Sequence, residues 1–362
     1  MTIKVLLVED SPVALTVLKR ILNEPPLVEV VGTARTGIEA LELIPKIKPD
    51  VICTDLHMPK MDGLELTQEV MERFPRPILV ISISVQDEDR QKVFKLLQAG
   101  AVDVFPKPRS GQLEDYEQVK DQLLNKIKVL AGVKVFTKRR KPSYLSDGPN
   151  ERPPRPLVAT PSLPSPPASP PAATVKLVVI GASTGGPQAL QEIFSHLPSN
   201  FPVPILCVQH ISEGFLQGFT DWLQNNCALP IEIAKTGKIP QAGKIYLPPE
   251  KEQMEIDKQG RFYCCKAPPV DGHCPSVTVL FQSVARVYGA GVIGILLSGM
   301  GRDGAAGLLS IVQKGGFTIA QDESTCVVFG MPQEAIKLRA AHQILPVQDI
   351  APLLVKRVQY NS

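Results

Sequence analysis

Residues 178–187, Val178-Val-Ile-Gly-Ala-Ser-Thr-Gly-Gly-Pro187, run from a β-branched apolar stretch through glycines into a segment headed by proline. This is the pattern of a buried strand turning sharply into a helix. Branched side chains suit a sheet covered on both faces, and proline is tolerated in the first turn of a helix. Within the run, Gly181-Ala-Ser-Thr-Gly185 satisfies G-x-S-x-G, the turn that lifts a nucleophilic serine, here Ser183, above the end of its strand. The amide of Thr184 then stands at the helix N-terminus, placed to assist an oxyanion. Taken alone, the motif serves a phosphate cradle equally well.

Working outward, the same strand pattern returns at 205–208, 292–297 and 317–320. Strand 205–208 ends in Gln209-His210, which sets an imidazole at the sheet edge that carries Ser183. Strand 292–297 leads into Ser298-Gly-Met-Gly-Arg-Asp-Gly304 and a helix from 305, so Asp303 stands past a third strand end. A serine, a base and an orienting acid on three strand ends of one sheet are the parts of a hydrolytic triad. Their chain order, Ser-His-Asp, is not that of the α/β-hydrolases. Gly299–Gly304 also matches G-x-G-x-x-G, with Asp322 about 20 residues on. A nucleotide-binding oxidoreductase is therefore an alternative output domain, although Asp303 would repel a pyrophosphate. The stretch 231–264 reads as four hairpin strands, an antiparallel excursion. Residues 332–358 read as helix, strand and helix. Arg302 and the pair His273-Cys274 read as surface or structural residues.

Upstream, apolar runs at 5–8, 28–33, 51–54, 78–82 and 102–105 alternate with amphipathic stretches, five βα units of one doubly wound parallel sheet. Ligands of such sheets sit beyond the carboxyl ends of the strands. Those ends carry Glu9 and Asp10, Asp55, Ser82 and Lys107. Carboxylate oxygens suit Mg²⁺, Lys107 neutralises further charge, Asp55 is the nucleophile toward a phosphoryl group, and Ser82 is a hydrogen-bond donor to the product. Between the halves, 138–174 (KRRKPSYLSDGPNERPPRPLVATPSLPSPPASPPAAT) has proline at about a third of its positions and reads as an extended, solvated spacer. Its opening basic cluster reads as a charged linker start. The expected division is 1–125, 126–174 and 175–362.

With 44% hydrophobic and 21% charged residues the composition is that of a globular protein, and a net charge of +3 is too small to imply a nucleic-acid or membrane partner. The seven cysteines show no C-x-x-C, so neither a zinc site nor a disulfide framework follows, and a reducing cytoplasm is expected. No apolar run is long enough to span a bilayer. A DNA-binding output domain is a further alternative, but it would need a basic recognition helix, and 175–362 has few clustered cations.

Asp55-Leu-His-Met-Pro-Lys-Met-Asp-Gly63 and Phe105-Pro-Lys-Pro108 resemble the receiver domain of response regulators, a flavodoxin-like five-stranded parallel sheet. The resemblance implies Asp55 as phosphoacceptor, Glu9, Asp10 and Asp55 as Mg²⁺ ligands, and Ser82 and Lys107 as switch residues. Val104 stands where many receivers carry a switching aromatic. A receiver, a spacer, then Gly-Ala-Ser-Thr-Gly-Gly, Gln-His and Gly-Met-Gly-x-Asp-Gly resemble the CheB family of chemotaxis methylesterases. That resemblance implies a protein-glutamate methylesterase and glutamine deamidase with Ser183 as nucleophile, His210 as base and Asp303 as orienting acid. Thr184 and Met300 would lie beside the reacting centre. It implies methyl-accepting chemotaxis receptors as substrates, a chemotaxis histidine kinase as phosphodonor, no cofactor for the ester hydrolysis, and an unphosphorylated receiver that covers the catalytic face.

Overall fold

A strand that is apolar at every position must be covered on both sides, and two such sheets organise this chain. The computed structural model describes residues 2–82, 87–108, 113–133, 135 and 173–359. The basic cluster and almost all of the proline-rich spacer lie outside the described residues.

In the first half, β1 (Ile3–Val8), β2 (Val28–Ala34), β3 (Val51–Thr54), β4 (Ile78–Ser82) and β5 (Asp103–Pro106) pair in parallel, in the order β2-β1-β3-β4-β5. Helices α1 (Pro12–Leu22), α2 (Gly37–Ile47), α3 (Gly63–Arg73), α4 (Asp87–Ala99) and α5 (Leu113–Leu130) connect and flank them. Side-chain oxygens of Ser11, Thr36 and Asp62 cap the first three helices, as short polar residues ahead of apolar periodicity should. Helix α5 continues past residue 125 to Leu130.

The second half comprises β6 (Leu177–Ala182), α6 (Gly186–Ser195), β7 (Ile205–Gln209), α7 (Leu216–Gln224), β8 (Ile231–Ile233), β9 (Ile245–Leu247), β10 (Gln253–Ile256), β11 (Phe262–Cys265), α8 (Val277–Tyr288), β12 (Val292–Leu296), α9 (Ala305–Gln313), β13 (Phe317–Gln321), α10 (Met331–Lys337), β14 (Gln343–Leu345) and α11 (Val347–Gln359). Its main sheet is parallel, in the order β14-β13-β12-β6-β7-β9-β8. The order turns back beside β6, whose six residues are all buried and which pairs with β12 on one side and β7 on the other. One expectation changes here. Only β10 and β11 form an antiparallel hairpin. β8 and β9, read as hairpin strands, instead extend the main sheet in parallel. A short apolar run has no intrinsic direction, and the burial of Ile245 and Leu247 beside β7 fixes it.

The two halves share an apolar seam. Phe94 of α4, almost wholly buried, lies 5.7 Å from the Phe219 ring and 5.5 Å from that of Trp222, both on α7. The Gln188 amide of α6 donates to the Ala101 carbonyl at 2.9 Å. Truncating Phe94 therefore removes the centre of this seam. Phe94→Ala is expected to cost about 3–5 kcal/mol, and calorimetry should then resolve separate melting of the two halves.

Candidate active site

Three neighbouring strands of the second sheet converge at its carboxyl edge. The Ser183 amide donates to the Ser298 carbonyl beyond β12 at 3.0 Å, and the His210 amide donates to the Ala182 carbonyl at 2.9 Å. These bonds place Ser183 between the ends of β12 and β7. The Gln209 side-chain amide donates both to the Ser183 carbonyl (2.9 Å) and to the His210 carbonyl (2.8 Å), stitching the two turns together. On the other side the Ser298 hydroxyl donates to the Thr184 carbonyl at 2.8 Å. Gly185 has φ +78° and packs so closely that a Cβ would meet Val327 at 2.4 Å, so the turn after Ser183 requires glycine. Gly299 is required by close approach: a Cβ there would come within 2.8 Å of the Ser183 Cβ. Met300, on the same loop, is half exposed above that edge.

His210 and Asp303 meet directly, with Nε2 2.8 Å from Oδ2. Asp303 is fully buried and accepts three further hydrogen bonds, from the Ser276 hydroxyl (2.7 Å) and the amides of Val277 (2.8 Å) and Thr278 (2.9 Å). Burial pushes this carboxyl up, but the donors from His210, Ser276 and Thr278 outweigh it and hold the group well below the usual carboxylate range. An ionised acid can only accept, so His210 carries its proton on Nε2 and Nδ1 presents the lone pair. Nδ1 is buried and has no hydrogen-bond partner. The ring is thus oriented in the reverse sense to the common triad arrangement, with the Nδ1 lone pair left without a partner. Ser183 and His210 are brought together by the backbone register, while the hydroxyl-to-Nδ1 bond is not formed here.

Sequence reading passed over four residues of this site. Ser276 caps α8 while its hydroxyl serves Asp303, and its signal was a serine directly ahead of an apolar run. Thr278 supplies an amide to Asp303 and its hydroxyl accepts from Gly304 N–H at 2.7 Å. Gln209 was visible only as a polar residue closing a strand. His273, taken for a structural or surface residue, stacks on His210 with ring centroids 3.7 Å apart and planes within 7°. His210, His273 and Asp303 each offer a ligand atom within 4.8 Å of the others. Lone pairs lie in the ring plane, however, and no single ion can lie in two parallel planes.

The dinucleotide alternative is not favoured. Asp303 is consumed inside the protein, and Asp322 accepts from the Thr325 amide (3.0 Å) and the Ser324 hydroxyl (2.6 Å) within its own loop.

In the first sheet, Glu9, Asp55, Ser82 and Lys107 also gather at the carboxyl edge. Lys107 Nζ lies 2.6 Å from Asp55 Oδ2 and 3.0 Å from Glu9 Oε1, and the Lys107 amide donates to the Ser82 carbonyl at 2.9 Å. Burial raises the pKa of Asp55 and of Glu9, opposed in each by Lys107. Burial lowers that of Lys107, but its two carboxylate partners outweigh this and raise it. Asp10 is exposed, and Glu9, Asp10 and Asp55 each bring an oxygen within 4.8 Å of the others. Glu9 Oε2 is buried, 2.9 Å from Lys107 Nζ but without an aligned hydrogen bond. This hard, all-oxygen donor set fits Mg²⁺. Val104 is buried in the core between the sheet and its helices.

The carboxyl edge of the second sheet touches the amino end of β5 in the first. Asp103, the first residue of β5, accepts through Oδ2 from the Thr184 hydroxyl at 2.7 Å and from Lys126 Nζ at 2.7 Å. The residue next to Ser183 is therefore held by the other half of the chain.

Residues 178–354 match the family described as CheB methylesterase, and residues 5–116 match the response regulator receiver domain. A protein-glutamate methylesterase/protein-glutamine glutaminase of Nitrosospira multiformis is 41% identical over 98% of this chain and 97% of its own. Protein-glutamate methylesterase/protein-glutamine glutaminase 1 of Syntrophus aciditrophicus is 41% identical over 98% of each chain. Among solved structures, the Thermotoga maritima CheB methylesterase catalytic domain is 35% identical, covering 51% of this chain and 99% of that one, with a TM-score of 0.49.

The Asp303 hydrogen bonds yield two expected outcomes. Asp303→Asn leaves the fold in place but reverses the hydrogen-bond demand on His210, and should lower kcat for ester hydrolysis by roughly 10³–10⁴-fold. Asp303 has a folded pKa below the ordinary value of about 3.9. Its contribution to stability is complete above that value and is lost as pH falls through the folded pKa. Ser276→Ala removes a donor and raises the folded pKa. Urea titrations should show a loss of roughly 2 kcal/mol at pH 7 and an acid limb displaced to higher pH.

Proposed function

The chain belongs to the CheB methylesterase family, with a receiver domain ahead of the esterase domain, and on that premise we propose that Ser183, His210 and Asp303 carry its hydrolysis of glutamate methyl esters. It is a phosphorylation-regulated protein-glutamate methylesterase and protein-glutamine glutaminase of chemotactic adaptation. The observation that supports the site assignment is the fully buried, four-donor Asp303 holding the His210 ring at 2.8 Å beside the Ser183 turn.

His210 Nδ1 takes the Ser183 proton as Oγ bonds to the γ-carbonyl carbon of the substrate glutamate. The imidazolium then returns that proton to the departing methoxide, releasing methanol and leaving an acyl-serine. Water, deprotonated in turn by Nδ1, attacks the acyl carbon, and Ser183 leaves with the proton. A glutamine side chain follows the same course with ammonia as leaving group. The Thr184 amide and the loop at Met300 lie beside the developing oxyanion.

In the receiver, Asp55 is the phosphoacceptor, with Lys107 and Ser82 the groups that respond to the added phosphoryl. Glu9, Asp10 and Asp55 would hold Mg²⁺, which when bound supplies charge neutralisation for phosphoryl transfer. A chemotaxis histidine kinase is the phosphodonor, and methyl-accepting chemotaxis receptors are the substrates. The working division is a receiver that extends beyond residue 125 to the end of α5 at Leu130, a linker from there to 174 and a catalytic domain at 175–362. Among the described residues no helix is long and apolar enough to cross a membrane, and a cytoplasmic enzyme without nucleic-acid partners is the consistent reading. The bond from Thr184 to Asp103 and the Phe94 seam support a receiver that covers the catalytic edge until Asp55 is phosphorylated.

Methanol release from methylated receptor, with and without acetyl phosphate and Mg²⁺, tests the whole reading. Ser183→Ala should reduce release at least about 10³-fold. Asp55→Ala should keep basal release and lose the stimulation. Undiminished release by Ser183→Ala would remove the site assignment, and full stimulation of Asp55→Ala would remove the receiver's role.

A further inference from the structure

We infer that His273 is a positioning residue for His210: its ring covers one face of the working imidazole, fixes its plane, and stabilises the imidazolium formed when Ser183 attacks. The inference rests on the hydrolase reading above and adds a group to that site.

Three observations carry it. The rings lie 3.7 Å apart and within 7° of parallel, which is face-to-face contact over the ring that must gain and lose a proton. His273 is itself held in one orientation. Its Nδ1 lies 2.9 Å from the Asp271 carbonyl, which can only accept, so Nδ1 carries the hydrogen. Its backbone is pinned by reciprocal bonds with Val270 at 3.0 Å and by the Gln253 side-chain amide at 3.3 Å. The third is charge. The groups facing His273 are His210, Asp303 and Asp271, and the Asp271 carboxylate is paired with Arg302 at 2.7 Å. Burial, and then the charge of His210, push the His273 pKa down to about 4, against the pull of the two acids. His273 is therefore neutral when His210 becomes positive.

A neutral aromatic face over a cation attracts it through the ring's quadrupole, whereas a second cation in the same place would repel it. The stack also excludes water from that side of His210, so the imidazolium is met by fixed groups: Asp303 in the ring plane and His273 above it. His273 does not relay the proton of His210: the two ring planes are parallel, so no proton passes between the rings along a lone pair.

The experiment compares His273→Phe with His273→Leu in the full chain, using methanol release under phosphodonor. Both fill the space, and only Phe restores an aromatic face. His273→Phe should keep kcat within about threefold of wild type, while His273→Leu should lose roughly tenfold in kcat with little change in KM. Equal activities of the two, or a loss confined to KM, would overturn the inference. Nitrogen-15 histidine spectra of the unmodified protein supply a second readout that needs no variant to fold. They should show His273 neutral and protonated on Nδ1 from pH 8 to about 5, with His210 protonated on Nε2. A His273 that charges above about pH 6 also sinks it. The parent reading is judged apart, because loss of Ser183 dependence removes the hydrolase and leaves these spectra untouched.

Discussion

A carboxylate cannot be taken out of water unless its lone pairs are met, and the second half of this protein is organised around one that is. Asp303 has no exposed surface. Burying an ion costs several kcal/mol even after relaxation, and here four donors offset the cost: the His210 ring, the Ser276 hydroxyl and the amides of Val277 and Thr278. The two amides belong to the first turn of α8, where the helix dipole favours negative charge. With every donor aimed inward, the acid stays ionised, and an ionised acid leaves His210 one tautomer. The free lone pair on Nδ1 follows from that constraint.

Parallel sheets explain why so much chemistry lies close together. Both halves carry their polar groups at the carboxyl ends of strands, as open α/β sheets do. The halves dock so that β5 serves both centres. It begins at Asp103, which receives the Thr184 hydroxyl, and it leads into Lys107, which binds Asp55 and Glu9. Lys126 of α5 shares the Asp103 carboxylate and fixes its orientation. A four-residue strand thus touches the turn beside Ser183 at one end and the pocket of Glu9 and Asp55 at the other.

Legibility from sequence differed residue by residue. Ser183, His210, Asp55, Glu9 and Lys107 were readable because each stands at the end of an apolar run whose period marks a buried strand, and Asp303 because it lies in the glycine-rich loop that follows one; a strand end in a parallel sheet is a defined place. Gln209 and Ser276 were legible only as polar residues at element boundaries, which are common without function. His273 gave no signal, because its role depends on the 268–276 loop folding over the end of β7, and no local pattern encodes that approach. β8 and β9 were recognised as strands but given the wrong direction, since alternation fixes which side chains are buried and says nothing about the neighbouring strand.

The sequence by itself determined two α/β halves, their proline-rich junction, and the residue types at each strand end, because backbone periodicity and turn chemistry are local properties. Tertiary structure decided what those residues do to one another. It set the strand order that puts β6 between β12 and β7, saturated Asp303 with donors from α8, laid His273 on His210, and brought Asp103 to Thr184. These are contacts between segments far apart in the chain, made by packing that buries apolar surface as a whole, and so they exist only once the sheets have assembled.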